Sequence, residues 1–159
     1  MRKTLIVSIR VLLIVGLFAS VVLADDTLAR FEGGIGVIPV RSGPAANVVQ
    51  GVNPGGQPWV IADLSARVKV NGRISVDGRG LLLAGGNGIG TNGGQSVRAR
   101  LFCGVVAHDS GLVALAPNGD FEIDGVLTPM PRDPCTNPVL LIVSAGGNWF
   151  AAGIPKLDE

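Results

Sequence analysis

The sequence predicts an all-β protein, folded as a single-domain antiparallel β-sandwich of Ig-like or jelly-roll type, with a β-barrel as the runner-up. Three observations carry this. Val60, Ala62, Leu64, Ala66, Val68 and Val70 alternate with Ile61, Asp63, Ser65, Arg67 and Lys69, which is the period of a half-buried strand. Short apolar segments recur between turn-forming stretches in a chain with 24 Gly and 10 Pro. After residue 24, no segment repeats its apolar residues with the 3.6-residue period of a helix. Apolar residues make up 47% of the 159 residues, so the glycines punctuate a core-forming sequence and do not mark disorder.

The chain opens with Arg2 and Lys3, continues through the apolar run Val11–Leu23, and reaches the small-residue end Val22-Leu23-Ala24. This order reads as a secretory signal peptide over residues 1–24, cleaved to leave one β-sandwich domain over residues 25–159. The run is short of the ~20 residues that span a bilayer, so no stable membrane span is expected after cleavage. An uncleaved signal anchor is the rival reading. No Cys lies near the cleavage point, which excludes lipid attachment there. The expected location is secreted or periplasmic. Loss of Arg2, Lys3 and Arg10 leaves 10 Lys+Arg against 12 Asp+Glu. That near-balance argues against a nucleic-acid or anionic-membrane binder, which needs a basic stripe.

Gly34–Val40 reads as a strand, and Ala45–Gln50 as a short helix or turn. After Val60–Val70, Asn71-Gly72 makes a hairpin with Ile74 and Val76. A two-residue turn would set apolar residues opposite polar ones at every step. A three-residue loop, Val70-Asn71-Gly72, pairs Val68 with Ile74, Ala66 with Val76 and Asp63 with Arg79. It also puts Gly72 at the left-handed position of a bulge, where a Cβ is penalised. Leu81–Ala84 continues this strand or begins the next, and Gly85–Gly94 is a loop. Ser96–Cys103 alternates again. Leu112–Leu115 and Phe121–Ile123 flank the turn Pro117-Asn118-Gly119-Asp120, a second hairpin. Thr128–Asn137 is a proline-rich loop. Val139–Val143 is apolar throughout and reads as a strand buried on both faces, and Trp149–Ile154 is the last strand.

Cys103 and Cys135 are the only cysteines, and in an exported chain they are expected to form one disulfide. A redox or metal pair is the alternative, but there is no CxxC spacing and only one His.

Few motifs carry chemistry. Gly88-Ile89-Gly90-Thr91-Asn92-Gly93 matches GxGxxG, but dinucleotide binding requires a helix after the glycines and Ser96–Cys103 reads as a strand. Gly85-Gly86-Asn87-Gly88-Ile89 begins a calcium β-roll repeat, but Gly90 replaces the carboxylate. Asp120, Glu122 and Asp124 alternate and offer hard oxygens to Ca²⁺. The six residues from Asp120 to Gly125 resemble the start of an EF-hand loop; Glu122 departs from that pattern, and Pro131 stands where the bidentate Glu belongs. A solvated face of an edge strand explains the same alternation. His108-Asp109-Ser110 holds the residue types of a hydrolase triad, but adjacent residues cannot adopt its geometry, so a polar turn before Gly111 is the plainer reading. Trp59 and Trp149 suit a sugar-stacking platform or the ends of the core, and with so few aromatics the core is favoured.

The strings FEGGIGVIPV (31–40), GVNPGGQPWVIADL (51–64), ISVDGRGLLLAGGNGIGTNGG (74–94), NGDFEIDGVLTP (118–129), PCTNPVLLI (134–142) and WFAAGIP (149–155) together resemble a group of short exported bacterial proteins with no assigned activity. The resemblance spans nearly all of the chain after residue 24 and carries over no catalytic residue.

The expected function is an exported non-enzymatic module with an envelope or extracellular structural or binding role. It needs no cofactor, and its partner would be a protein or an extracellular polymer. The alternatives are a calcium-stabilised adhesive or matrix-type module using Asp120, Glu122 and Asp124, and a small exported hydrolase centred on His108.

Overall fold

The hairpin at Asn71-Gly72 forms in the register that the face pattern demands. Val68 lies opposite Ile74, Ala66 opposite Val76 and Asp63 opposite Arg79. Gly72 has φ +79° and donates its N–H to the Lys69 carbonyl at 2.9 Å.

The structure is a computed structural model describing residues 26–43 and 46–157; the expected signal peptide lies outside the described residues. These hold no helix and eleven strands. The strands are β1 (Thr27–Gly36), β2 (Trp59–Val60), β3 (Asp63–Lys69), β4 (Arg73–Arg79), β5 (Leu82–Leu83), β6 (Ser96–Cys103), β7 (Val106–Asp109), β8 (Val113–Ala114), β9 (Phe121–Val126), β10 (Val139–Ser144) and β11 (Trp149–Pro155). One sheet runs in the order β7-β6-β10-β11-β1-β3-β4-β9, with β8 pairing the start of β6; β2 and β5 form a separate ribbon. Every strand pair is antiparallel.

The fold is therefore all-β, in the sandwich and barrel class that the sequence predicts, and it takes the form of one curled sheet. Its edges meet where Asp109, ending β7, bridges Thr128, just beyond β9. The hydrophobic core fills the concave side. Phe31, Leu64, Val68, Ile74, Val97, Leu101, Leu140 and Ile142 are all essentially inaccessible to solvent. Cross-strand partners share a face, so Val68–Ile74, Val76–Ile123, Leu140–Leu101 and Ile142–Ala99 stack as apolar rungs around the interior. As its composition predicts, β10 is buried on both faces from Leu140 to Ser144.

Four segments differ from expectation, each for a local reason. Val60–Val70 is not one strand. Trp59 and Val60 leave the main sheet to pair with Leu83 and Leu82, and Ala62 N–H turns to the Arg79 carbonyl. Gly36 permits this crossing, because the Trp59 carbonyl stands where a Cβ on Gly36 would be. The first strand begins at Thr27, not Gly34, since Ala29 and Phe31 alternate inward against Arg30 and Glu32. Around Pro117–Asp120 the turn is tight, with Gly119 N–H donating to Ala116 O (2.8 Å) and Ala116 N–H to Asp120 O (2.9 Å). The flanking strands then diverge, β8 to β6 and β9 to β4, so they form no ladder with each other. Finally, His108 and Asp109 do not lie in a turn but in β7, paired to β6. The described part of Ala45–Gln50 is a turn, closed by the Val49–Val52 bridge.

Candidate functional site

The side chains of β7 alternate between the two faces of the curled sheet. His108 lies opposite Leu101, a core residue, and is only 3% exposed. Asp109 lies opposite Arg100 and points to the other face. The period of two thus sends these two neighbours to opposite faces, so Asp109 is not a carboxylate that orients His108.

Each of the three polar residues has its own partner. His108 Nδ1 is 2.6 Å from the Pro129 carbonyl oxygen. A carbonyl can only accept, so Nδ1 carries the proton, and in the neutral ring Nε2 is left as an acceptor. Nε2 has no hydrogen-bond partner among the described residues. The Asp109 carboxylate accepts from Arg100 Nε at 2.6 Å and Nη2 at 2.7 Å, with Arg98 Nη1 at 3.8 Å. This two-pronged donation to Asp109 raises the Arg100 pKa; partial burial opposes it, and the carboxylate's charge adds to it. Ser110 Oγ accepts from Ala99 N–H and donates to the Gly111 carbonyl, both at 2.9 Å. Among the described residues no carboxylate bonds to His108, and Ser110 Oγ is taken up by the backbone of Ala99 and Gly111. The sequence His108-Asp109-Ser110 is a strand and its end, and its three side chains do not converge.

A pocket of about 550 Å³ opens beside the imidazole, lined among others by Val106, His108, Pro129, Met130 and Arg132. One wall is the β6–β7 hairpin and the other is the proline-rich loop. The disulfide expected between Cys103 and Cys135 is present, with Cα atoms 4.8 Å apart, and Gly104 N–H donates to the Thr136 carbonyl beside it. These two links hold the loop against the hairpin. Met130 and Arg132 were not singled out from sequence. The available signal was the cysteine pair itself: a Cys103–Cys135 bond requires residues 129–136 to pass near 103–108.

The other sequence candidates fall elsewhere. Glu122 and Asp124 lie on the solvated side of β9, opposite Asp77 and Ser75. Asp124 pairs with Arg73 at 3.2 Å. Asp120 precedes the strand, where its carboxylate accepts from Gly80 N–H (3.0 Å) and Asn118 Nδ2 (2.8 Å). Among the described residues no group of three or more His, Cys, Asp or Glu side chains could hold a metal ion, so the structure does not gather these three carboxylates into one site. Gly88–Gly93 is a loop followed by strand β6, with no helix end to receive a phosphate. Trp59 is buried and stacks on Phe150, ring centroids 4.1 Å apart; Trp149 is buried and donates its indole N–H to the Asn47 carbonyl at 3.1 Å. Both close the core.

Comparison with protein-family models, with curated proteins and with solved structures finds no match for this chain.

Proposed function

We propose that the chain is an exported, non-enzymatic binding module with an envelope or extracellular role, whose partner is a protein or an extracellular polymer. The signal-peptide pattern of residues 1–24 supports export, and the Cys103–Cys135 disulfide accords with an oxidising compartment. The observation that carries the binding reading is the state of His108. The one imidazole of the chain borders a pocket, yet its Nδ1 is held by a backbone carbonyl, the adjacent carboxylate is tied to Arg100 on the other face, and the adjacent hydroxyl is bonded to backbone. Acid–base or nucleophilic catalysis needs those groups aimed at one point. Binding needs only a shaped wall with a few fixed polar atoms.

The test is a turnover screen of the protein purified from an exporting host, against ester, peptide, glycoside and phosphoester substrates. No turnover is expected. Hydrolysis that disappears in His108→Ala, with melting checked in parallel, would overturn this reading in favour of a hydrolase.

A further inference from the structure

A second cavity, of about 460 Å³, lies away from His108, among the loop before β2, the glycine-rich loop before β6 and the turn between β10 and β11. Its size falls within the roughly 300–1,000 Å³ of small-molecule sites. None of the residues lining it is charged. Instead it carries three amides, from Gln57, Gln95 and Asn148, the hydroxyl of Ser144, and the buried Trp59–Phe150 stack.

The amides are well placed to receive a ligand. Gln57 and Asn148 have no side-chain hydrogen-bond partner among the described residues, while Gln95 makes one long bond, to the Gly93 carbonyl at 3.3 Å. Each amide offers donors and an acceptor in one plane, a match for neighbouring hydroxyls that both donate and accept. Ser144 is almost fully buried, and its Oγ already accepts from Asn148 N–H at 3.2 Å, so its own proton remains to be given. The walls are thin where glycine forms them. A Cβ on Gly93 would lie 3.5 Å from the rim of the Trp59 indole and would narrow the cavity over it.

We propose that this cavity is a binding site for a neutral saccharide unit, with the amides of Gln57, Gln95 and Asn148 and the Ser144 hydroxyl reading its hydroxyls beside the rim of the Trp59 indole. The absence of charged lining residues favours a neutral ligand over a sugar acid or a phosphorylated sugar; the Arg41 guanidinium stands beside Gly56 but donates to the Pro54 carbonyl. This deepens the binding-module reading and rests on it.

The experiment titrates the exported protein with glucose, galactose, N-acetylglucosamine and glucuronic acid, and then with neutral oligosaccharides, by calorimetry and by tryptophan fluorescence. At least one neutral sugar is expected to bind, at roughly millimolar affinity or better. The Gln57→Ala/Asn148→Ala variant should melt as wild type and bind about tenfold more weakly, the loss of one to two hydrogen bonds. Binding of the free sugar identifies a monosaccharide ligand, and binding of oligosaccharides alone identifies a unit of a polymer; either supports the site. No response to any neutral sugar or oligosaccharide, preference for glucuronic acid, or unchanged affinity in the double variant would overturn it. None of these would touch the non-enzymatic reading, which fails only on turnover.

Discussion

Asp109 and Thr128 exchange both of their backbone hydrogen bonds, each at 2.9 Å, and this pair joins the two edges of the sheet. Asp109 ends β7 and Thr128 lies just beyond β9, while at the other end of the seam the turn at Ala116–Asp120 joins β8 to β9. The seam is thus pinned at its ends. Thr128→Pro removes one of the two donors and leaves the Asp109 carbonyl without it. The expected loss is about 1–3 kcal/mol in equilibrium unfolding. In the wild type, the Asp109 and Thr128 amides should exchange with deuterium as slowly as those of paired strands. Fast exchange at both would show that the seam is open in solution.

The disulfide spans 32 positions of sequence. In the chain-entropy account, closing a loop of that length stabilises the fold by about 3–4 kcal/mol. Denaturation with and without reductant should differ by that order, and mass spectrometry should find no free thiol before reduction. Equal midpoints would mean that the loop is held by its other contacts alone.

Two glycines make a matched comparison. Gly119 has φ +82°, and a Cβ there would come within 2.6 Å of the Leu81 backbone. Gly119→Ala is expected to cost about 1–3 kcal/mol through strain and overpacking. Gly125 sits in β9 with open space around its missing side chain and no positive φ. Gly125→Ala should be neutral or stabilising by up to about 1 kcal/mol, because the unfolded chain loses freedom. Thermal melts of the two variants decide this, and a reversed order would show that the turn can rearrange.

His108→Ala removes the donor to the Pro129 carbonyl and empties a buried site. A destabilisation of about 1–3 kcal/mol is expected, read by chemical denaturation. His108→Asn, which keeps a donor, should recover part of it. If both variants unfold with wild-type midpoints, the imidazole does not support the loop.

Arg100 and Asp109 form a partly buried pair on the convex side of β6 and β7. Arg100→Met should cost about 1–2 kcal/mol. The pKa of Arg100 is raised in the fold, first through its hydrogen bond to Asp109. A raised value means that this contribution is complete below the ordinary arginine range and is lost only as pH climbs through the higher folded value. The difference in melting temperature between wild type and Arg100→Met should therefore hold steady from neutral pH to about pH 10. A difference that fades within this window would point to another group.

Much of the sheet was legible because side-chain alternation and turn chemistry agree. At Val68–Ile74 the two act together, and even the register follows. The inward face of β6 follows from its alternation, and the double burial of β10 from an apolar run that does not alternate. What escaped was set by distant chain. Nothing local to Trp59-Val60 announces that these residues pair with Leu82 and Leu83 rather than extend β3, since the deciding contact is the Trp59 carbonyl against Gly36. Four residues of β7 around His108 are too few to show a period, and their partner β6 defines them as strand. The sites were less legible still. The His108 pocket depends on a loop that only the disulfide brings back, and the amide-lined cavity draws on segments separated by some thirty to fifty residues.

The ring closed by Cys103 and Cys135 contains β7, β8 and β9, and so both edges of the sheet. An exposed edge is where one copy of a β-protein can lend a strand to another. Here the two edges belong to a single covalent loop anchored at the end of β6. A strand donated to a neighbouring molecule would have to leave as part of a closed circle, with the other edge drawn along. Oxidation therefore hinders strand exchange between copies, and reduced protein held at high concentration is where intertwined dimers should first appear.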